Sequence, residues 1–215
     1  MSRVLYYGGT FDPVHAGHLA VAQAARDALQ AQVHFLPAAD PPHRAAPGAS
    51  AVQRAEMLDL AVSGHPGFEV DRRELRRSTP SWTVDTLHEL RLELGPDHPV
   101  VWLIGADAFR GLPSWHHWRD LPGLAHFVVA VRPGHDLSDL PEALQQACEG
   151  RWTGDAADLW TAPAGRVLVL EMPPHPASAT EIRHRLRDGQ PTGDWLAPGV
   201  AAFIAVHGLY RAGAG

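Results

Sequence analysis

Two histidines three residues apart, His15 and His18, close the segment Gly8-Gly9-Thr10-Phe11-Asp12-Pro13-Val14-His15-Ala16-Gly17-His18. Imidazoles at that spacing share about one face of a first helical turn, so both can reach the same phosphate group. Gly17 between them leaves the backbone uncovered, and the pair Gly8-Gly9 reads as a turn whose amides an anion can approach closely. A metal pair is the competing use of two such histidines, but no third ligand at convincing spacing accompanies them. Near the other end, Ala177-Ser178-Ala179-Thr180-Glu181-Ile182-Arg183 sets a hydroxyl and a guanidinium about one helical turn apart, at Thr180 and Arg183. That combination suits an anion. Ser178 and Glu181 also have capping-box spacing, which would start a helix over residues 179–187 with no ligand at all.

Such groups need rigid elements to aim them. Residues 3–7 read as a short buried strand and residues 19–29, rich in strong helix formers, as a helix. The histidine loop is therefore expected at the carboxyl end of a first strand. In open α/β sheets ligands bind there, and a helix that starts there offers its N–H groups to an anion. Further strands are expected at 32–37, 68–71, 99–104, 126–131 and 166–172. Helices are expected at about 52–62, with Met57, Leu58 and Ala61 on its apolar side, and up to about Leu94 from a start capped by Ser81 or Thr83. Others are expected over 137–148, 179–187 and about 200–207, the last with its Val, Phe and Ile residues inward. Residues 115–118 read as a short helical segment and Asp40-Pro41-Pro42-His43-Arg44 as a loop kept out of any helix by its prolines. Arg72, Arg73, Arg76 and Arg77 read as a solvated face. The alternation points to an α/β fold with a Rossmann-like, doubly wound parallel sheet and right-handed crossovers. One domain is expected over residues 1–215, with 133–165 a turn-rich variable insertion and 178–210 a C-terminal helical part.

Composition narrows the partners. A chain of 215 residues, 45% of them hydrophobic, can bury a substantial core. Its formal charge of −6 argues against a nucleic-acid binder that relies on a broad basic surface and favours small-molecule phosphate. Cys148 is the only cysteine, so neither an intrachain disulfide nor a cysteine-based zinc cluster is available. No apolar run approaches a membrane span and no signal-peptide pattern is present, so a cytoplasmic protein is expected. The oligomeric state is left open, a homo-oligomer being compatible with the chain.

The histidine loop matches the Gly-Gly-Thr-Phe-Asp-Pro-x-His-x-Gly-His loop of the nucleotidyltransferase superfamily with the His-x-Gly-His motif. Residues 177–183 resemble the Ile-Ser-Ser-Thr-x-Ile-Arg motif of its bacterial nicotinate mononucleotide adenylyltransferases, with Ala177 and Ala179 as departures. Ala179 lacks the hydroxyl of the usual Ser, which excludes a side-chain contact at that position. The loop ending in His43 and Arg44 resembles the Pro-Pro-His-Lys element of the same family, a planar guanidinium replacing an ammonium. Residues 80–87 resemble its Ser-aromatic-Thr-x-Asp-Thr-Leu helix start, with Trp82 where Tyr is frequent. Leu103-Ile104-Gly105-Ala106-Asp107 resembles its strand-end Gly-x-Asp, and residues 112–118 its tryptophan-containing segment.

The resemblance implies transfer of the adenylyl group of ATP to nicotinate mononucleotide, giving nicotinate adenine dinucleotide and pyrophosphate in NAD synthesis. It implies catalytic roles for His15, His18 and Arg183. ATP would be held by these three together with Gly8, Gly9, Thr10, Phe11, Gly105, Asp107, Ser178 and Thr180. Nicotinate mononucleotide would be held by His43, Arg44, Trp82, Thr83, Asp107 and Trp115. Mg2+ would ride on the triphosphate, held by water and substrate, and no protein ligands are assigned to it. The pyridine ring would stack on Trp115, its carboxylate would meet amides near Trp82 and Thr83, and Asp107 would accept from ribose hydroxyls. Packing tryptophans and capping roles for Thr83 and Asp107 explain those residues without a ligand. His116, His117 and Trp118 are read as structural. The alternatives are another superfamily member, such as a pantetheine-phosphate adenylyltransferase or a cytidylyltransferase, and a non-catalytic nucleotide-binding module. That module could dispense with Arg183 and both histidines.

Overall fold

The apolar runs expected as strands are strands in the computed structural model, which describes residues 3–39, 48–77, 80–132, 137–172 and 175–211. In chain order the elements are β1 (Val4–Gly9), α1 (Ala16–Leu29), β2 (Gln32–Pro37), α2 (Ala51–Val62), β3 (Phe68–Val70), α3 (Thr83–Leu94), β4 (Val101–Gly105) and α4 (Ala106–Arg110). Then follow α5 (Leu121–Leu124), β5 (His126–Val131), α6 (Glu142–Cys148), β6 (Trp152–Thr153), β7 (Val167–Glu171), α7 (Ala179–Arg187) and α8 (Pro198–His207). The strands form one seven-stranded sheet in the order β3-β2-β1-β4-β5-β7-β6. β1 pairs with β4, β4 with β5, and β7 with both β5 and β6, all parallel. The order reverses between β1 and β4, as in a doubly wound α/β sheet. All six residues of β5 are buried, as expected for a parallel strand covered on both faces.

The chain forms two compact units that interleave in sequence. The first comprises residues 1–8, 24–34 and 82–174. Its core is built on β4, β5 and β7, with the Phe109 ring 6.2 Å from Phe127 and 6.1 Å from Trp152. Arg91 ties the end of α3 to its surroundings by donating to the carbonyls of Leu124, His98 and Pro163. The wholly buried His126 ring meets Ala162 O at 2.8 Å and accepts from Arg166 N–H at 3.0 Å. The second unit comprises residues 9–23, 35–81 and 175–215. There α2 packs on α8 and β3, and the Phe35 ring sits between Phe68 at 5.5 Å and Phe11 at 5.7 Å.

Several local expectations give way to tertiary detail. Neither Ser81 nor Thr83 caps α3: Trp82 holds the cap position without a side-chain bond, and the Ser81 hydroxyl instead accepts from Ala39 N–H at 3.0 Å. α1 begins at Ala16, earlier than expected, because His18 and Leu19 N–H both donate to His15 O. Residues 115–117 are not helical; 3-10 turns at Leu112–Ser114 and Trp118–Asp120 flank them, so only Trp118 of the expected segment is in a helical turn, and His117 adopts φ 48°. α6 starts at Glu142, after Pro141, and the turn-rich stretch behind it contributes the edge strand β6. On α8 only Val200 and Ile204 are buried, and Val206 faces solvent. Arg72 pairs with Asp59, and Arg73 donates to Asp71 at 2.6 Å, so the basic stretch is not simply solvated. No helix among the described residues is long and apolar enough to cross a membrane.

Candidate active site

In the second unit, the site is built on the loop that leaves β1. Gly8 and Gly9 are the last residues of that strand and not a turn, which corrects the sequence reading. Their reason is space. A Cβ on Gly8 would run into the Trp102 indole, and one on Gly9 would lie 2.9 Å from the Phe11 ring. Phe11 occupies the left-handed region at φ 52°, unusual for so bulky a residue. Its buried ring lies edge-on to His18 at 5.1 Å and so supports that imidazole.

His15 and His18 are brought together as expected. Their rings stack with centroids 3.8 Å apart and planes 28° from parallel. His15 is 6% exposed, and its Nδ1 accepts from Gly17 N–H at 3.1 Å. An Nδ1 that accepts carries no proton, so in the neutral ring the proton sits on Nε2. Gly17 makes room for this arrangement: a Cβ there would lie 3.0 Å from both Cε1 and Nδ1 of His15 and 3.2 Å from Ala177 O.

Ala177 O leads to the second motif. Ser178 caps α7 by accepting from Glu181 N–H at 3.2 Å, while the Glu181 carboxylate takes the Arg185 Nε–H at 2.9 Å. Only the first half of the expected capping box therefore forms. From this helix Arg183 donates through Nη1 to Asp12 O at 2.7 Å and through Nη2 to Thr180 Oγ1 at 3.4 Å. Its side chain stays 35% exposed, open to a further anion. The loop that carries His15 and His18 thus also receives Arg183, with Thr180 beside it.

Three residues that the sequence reading missed fasten it. The Asp12 carboxylate, 8% exposed, accepts from Gly48 N–H at 2.8 Å, Ala49 N–H at 3.1 Å and the Tyr210 hydroxyl at 2.6 Å. Burial, with the Asp12 hydrogen bond and charge adding to it, pushes the Tyr210 phenol far above its ordinary pKa, so it remains a donor. Arg54 is fully buried and donates to Thr10 O and Ala39 O, each at 2.6 Å, and to Ala49 O at 3.3 Å. Its position was legible, since Arg54, Leu58 and Ala61 share one buried face of α2 at helical spacing. Tyr210 gave no local signal, being 198 positions from its partner.

The first unit carries the residues expected to meet the acceptor and the ribose. The Trp82 ring, at the start of α3, stacks on His116 at 4.7 Å with planes 30° apart, and His117 stands edge-on to His116 at 4.2 Å. His116, read as structural, is thus in direct contact with a predicted site residue. Thr83 opens α3, where helical N–H groups precede the hydrogen-bonded ladder. Trp115 is half-buried, whereas Trp118 is buried with the Arg119 guanidinium 4.7 Å over its ring. Gly105 precedes α4, and a Cβ there would meet nothing within 4 Å. The Asp107 side chain is 99% exposed, 3.3 Å from Arg110 Nη1, and caps nothing. His43 and Arg44 lie outside the described residues. Among the described residues no group of three or more His, Cys, Asp or Glu is arranged to hold a metal ion.

A family model for cytidylyltransferase-like domains matches residues 6–185. A probable nicotinate-nucleotide adenylyltransferase of Stenotrophomonas maltophilia is 54% identical over 98% of either chain. The chain belongs to the nicotinate-nucleotide adenylyltransferase family. A second member, from Xylella fastidiosa, is 49% identical over 96% of this chain and 95% of its own. Among solved structures, the fold of this nucleotidyltransferase resembles Plasmodium falciparum nicotinic acid mononucleotide adenylyltransferase complexed with NaAD, with a TM-score of 0.74, 16% identity and 98% of each chain covered.

Proposed function

We propose that this chain transfers the adenylyl group of ATP to nicotinate mononucleotide, forming nicotinate adenine dinucleotide and releasing pyrophosphate, as a cytoplasmic step of NAD synthesis. The observation that carries the proposal is the stacked His15–His18 pair, with the His15 tautomer set by Gly17 N–H, on the loop that also receives Arg183. Family membership at 54% identity supports the same reaction.

An oxygen of the acceptor phosphate attacks the α-phosphorus of ATP. The new P–O bond forms as the bond from that phosphorus to the bridging oxygen breaks, and the electron pair leaves on pyrophosphate. The nucleophile is already anionic, so no general base is required and catalysis reduces to alignment and charge stabilisation. His15 donates from Nε2 to the triphosphate, His18 joins it from the adjoining ring, and Arg183 takes up charge that grows on the leaving pyrophosphate. Amides at Gly9 and Thr10 and the start of α7 at Ser178 and Thr180 line the same anion. Mg2+ arrives with the triphosphate as part of the substrate. This fits the donor set, because the one carboxylate on the loop, Asp12, already accepts from three protein donors.

For the acceptor, the pyridine ring stacks on Trp115, and its carboxylate is met by the first amides of α3 beside Trp82 and Thr83, with His43 and Arg44 contributing. Asp107, extended into solvent, accepts from ribose hydroxyls, and Gly105 leaves room for them. The test is ATP labelled at the α-phosphorus, supplied with nicotinate mononucleotide. Label in the dinucleotide with none in pyrophosphate is expected, and label recovered as free nucleotide alone would refute the transfer.

A further inference from the structure

The end of the chain returns to the histidine loop. Gly208 and Tyr210 both adopt left-handed backbone, at φ 63° and 62°, and for tyrosine that conformation is unfavourable unless something holds it. Two contacts do. The Tyr210 hydroxyl donates to Asp12 Oδ1 at 2.6 Å, and its ring lies against Gly48, where a Cβ would come within 2.8 Å of Cδ1 and Cε1.

Asp12 is also where Arg183 rests. Nη1 donates to the Asp12 carbonyl at 2.7 Å and stands 3.9 Å from Oδ2. The carboxylate is thus at ion-pair distance from Arg183 without the short hydrogen bond that the carbonyl takes, held by Gly48 N–H on Oδ2 and by Ala49 N–H and Tyr210 on Oδ1. We propose that Tyr210 is a positioning residue: by holding the Asp12 carboxylate in this orientation it keeps Arg183 on the peptide carbonyl, with its remaining donors and its charge free for the triphosphate. Without the phenol, Oδ1 keeps only the Ala49 N–H, and the loosened carboxylate competes with the carbonyl for a direct hydrogen bond from Arg183, which withdraws the guanidinium from the leaving group. The inference rests on the adenylyl-transfer reading.

The experiment is a double-mutant cycle on pyrophosphate release. Wild-type turnover is read first: none at all sinks the transfer reading itself, and this inference with it. Given wild-type turnover, Tyr210→Phe is expected to lower kcat about tenfold, as for loss of one hydrogen bond to a charged group. KM for nicotinate mononucleotide should stay within about twofold, because the perturbed group acts on the leaving pyrophosphate. In an Arg183→Lys background, Tyr210→Phe should change kcat little, since the residue it positions has been replaced. A merely structural tyrosine would instead lower the melting temperature and reduce activity by the same factor in both backgrounds. An unaltered kcat in Tyr210→Phe, or an equal loss in both backgrounds, overturns the proposal. If Tyr210→Phe does not fold, Gly48→Ala takes its place under the same two criteria, because its Cβ pushes the ring off Asp12 while keeping every hydrogen-bonding group.

Discussion

Replacing Gly17 by alanine should separate activity from stability, with opposing signs that can be worked out beforehand. Gly17 is the second residue of α1 and needs no left-handed backbone, so alanine favours the folded chain by about 0.4–1 kcal/mol. Against this, the new Cβ would lie 3.0 Å from His15 Cε1 and Nδ1 and 3.2 Å from Ala177 O. Carbon contacts are comfortable at about 3.5–4.0 Å, so the imidazole must retreat by roughly 0.5 Å or more. It cannot do so alone, because His18 is stacked on it at 3.8 Å and Phe11 backs His18. Crowding of this kind costs about 1–3 kcal/mol, which leaves net stability within roughly 2 kcal/mol of wild type. Catalysis has no such compensation: displacing a catalytic group by about 1 Å costs on the order of 100-fold in rate. We expect kcat/KM for ATP to fall about 10- to 100-fold by this criterion, while the urea midpoint falls by about 1 M or less. The assay is pyrophosphate release at saturating acceptor, with circular dichroism through a urea titration on the same samples. A folded Gly17→Ala enzyme with wild-type kcat/KM would refute the reasoning, and so would an activity loss that merely tracks unfolding.

Other perturbations follow from the same contacts. Arg54→Met removes two short bonds from a charged donor to Thr10 O and Ala39 O, each worth about 1.5–3 kcal/mol, so urea denaturation should show a loss of about 3–6 kcal/mol. A loss below about 1 kcal/mol would mean that the guanidinium is not what holds the loop. Burial, aided by Arg91 and Arg166 and opposed by the Ala162 carbonyl, holds His126 below its ordinary pKa of 6.5. The unfolded chain therefore binds a proton that the folded chain refuses. Stability is complete above that pH and drains as the pH falls from it toward the folded-state value; urea midpoints from pH 8 to 5 should decline less steeply in His126→Gln. Trp82→Ala, which unstacks His116, should raise KM for nicotinate mononucleotide about two- to tenfold and leave KM for ATP alone in steady-state kinetics, by loss of aromatic stacking worth about 0.5–1.5 kcal/mol.

Elements with a strong local signal were legible from the residues. β2, β5 and α7 run over the residues expected of them, because each is bounded by a turn signal or a cap. β6 was not legible, since two residues carry no periodicity and its partner β7 is supplied by the fold. At α3 two plausible caps competed, and a long-range bond to Ala39 N–H removed Ser81 from the contest. The histidine pair and Arg183 were readable as a site because their chemistry is in their side chains. The residues that hold them were not, because Asp12 acts through Gly48, Ala49 and Tyr210, which only the fold brings to it. His116 was set aside for a related reason: nothing in its immediate sequence shows that Trp82 lies on its ring.

The central claim is that the chain joins ATP to nicotinate mononucleotide through the His15–His18 loop. Its most direct test is pyrophosphate release by the purified enzyme with magnesium and ATP, comparing nicotinate mononucleotide, nicotinamide mononucleotide and phosphopantetheine as acceptors, for wild type and His15→Ala. Strong release by wild type with nicotinate mononucleotide, little with the other two, and a collapse in His15→Ala is the predicted result. Release from phosphopantetheine instead, or a His15→Ala enzyme that turns over at the wild-type rate, would contradict it.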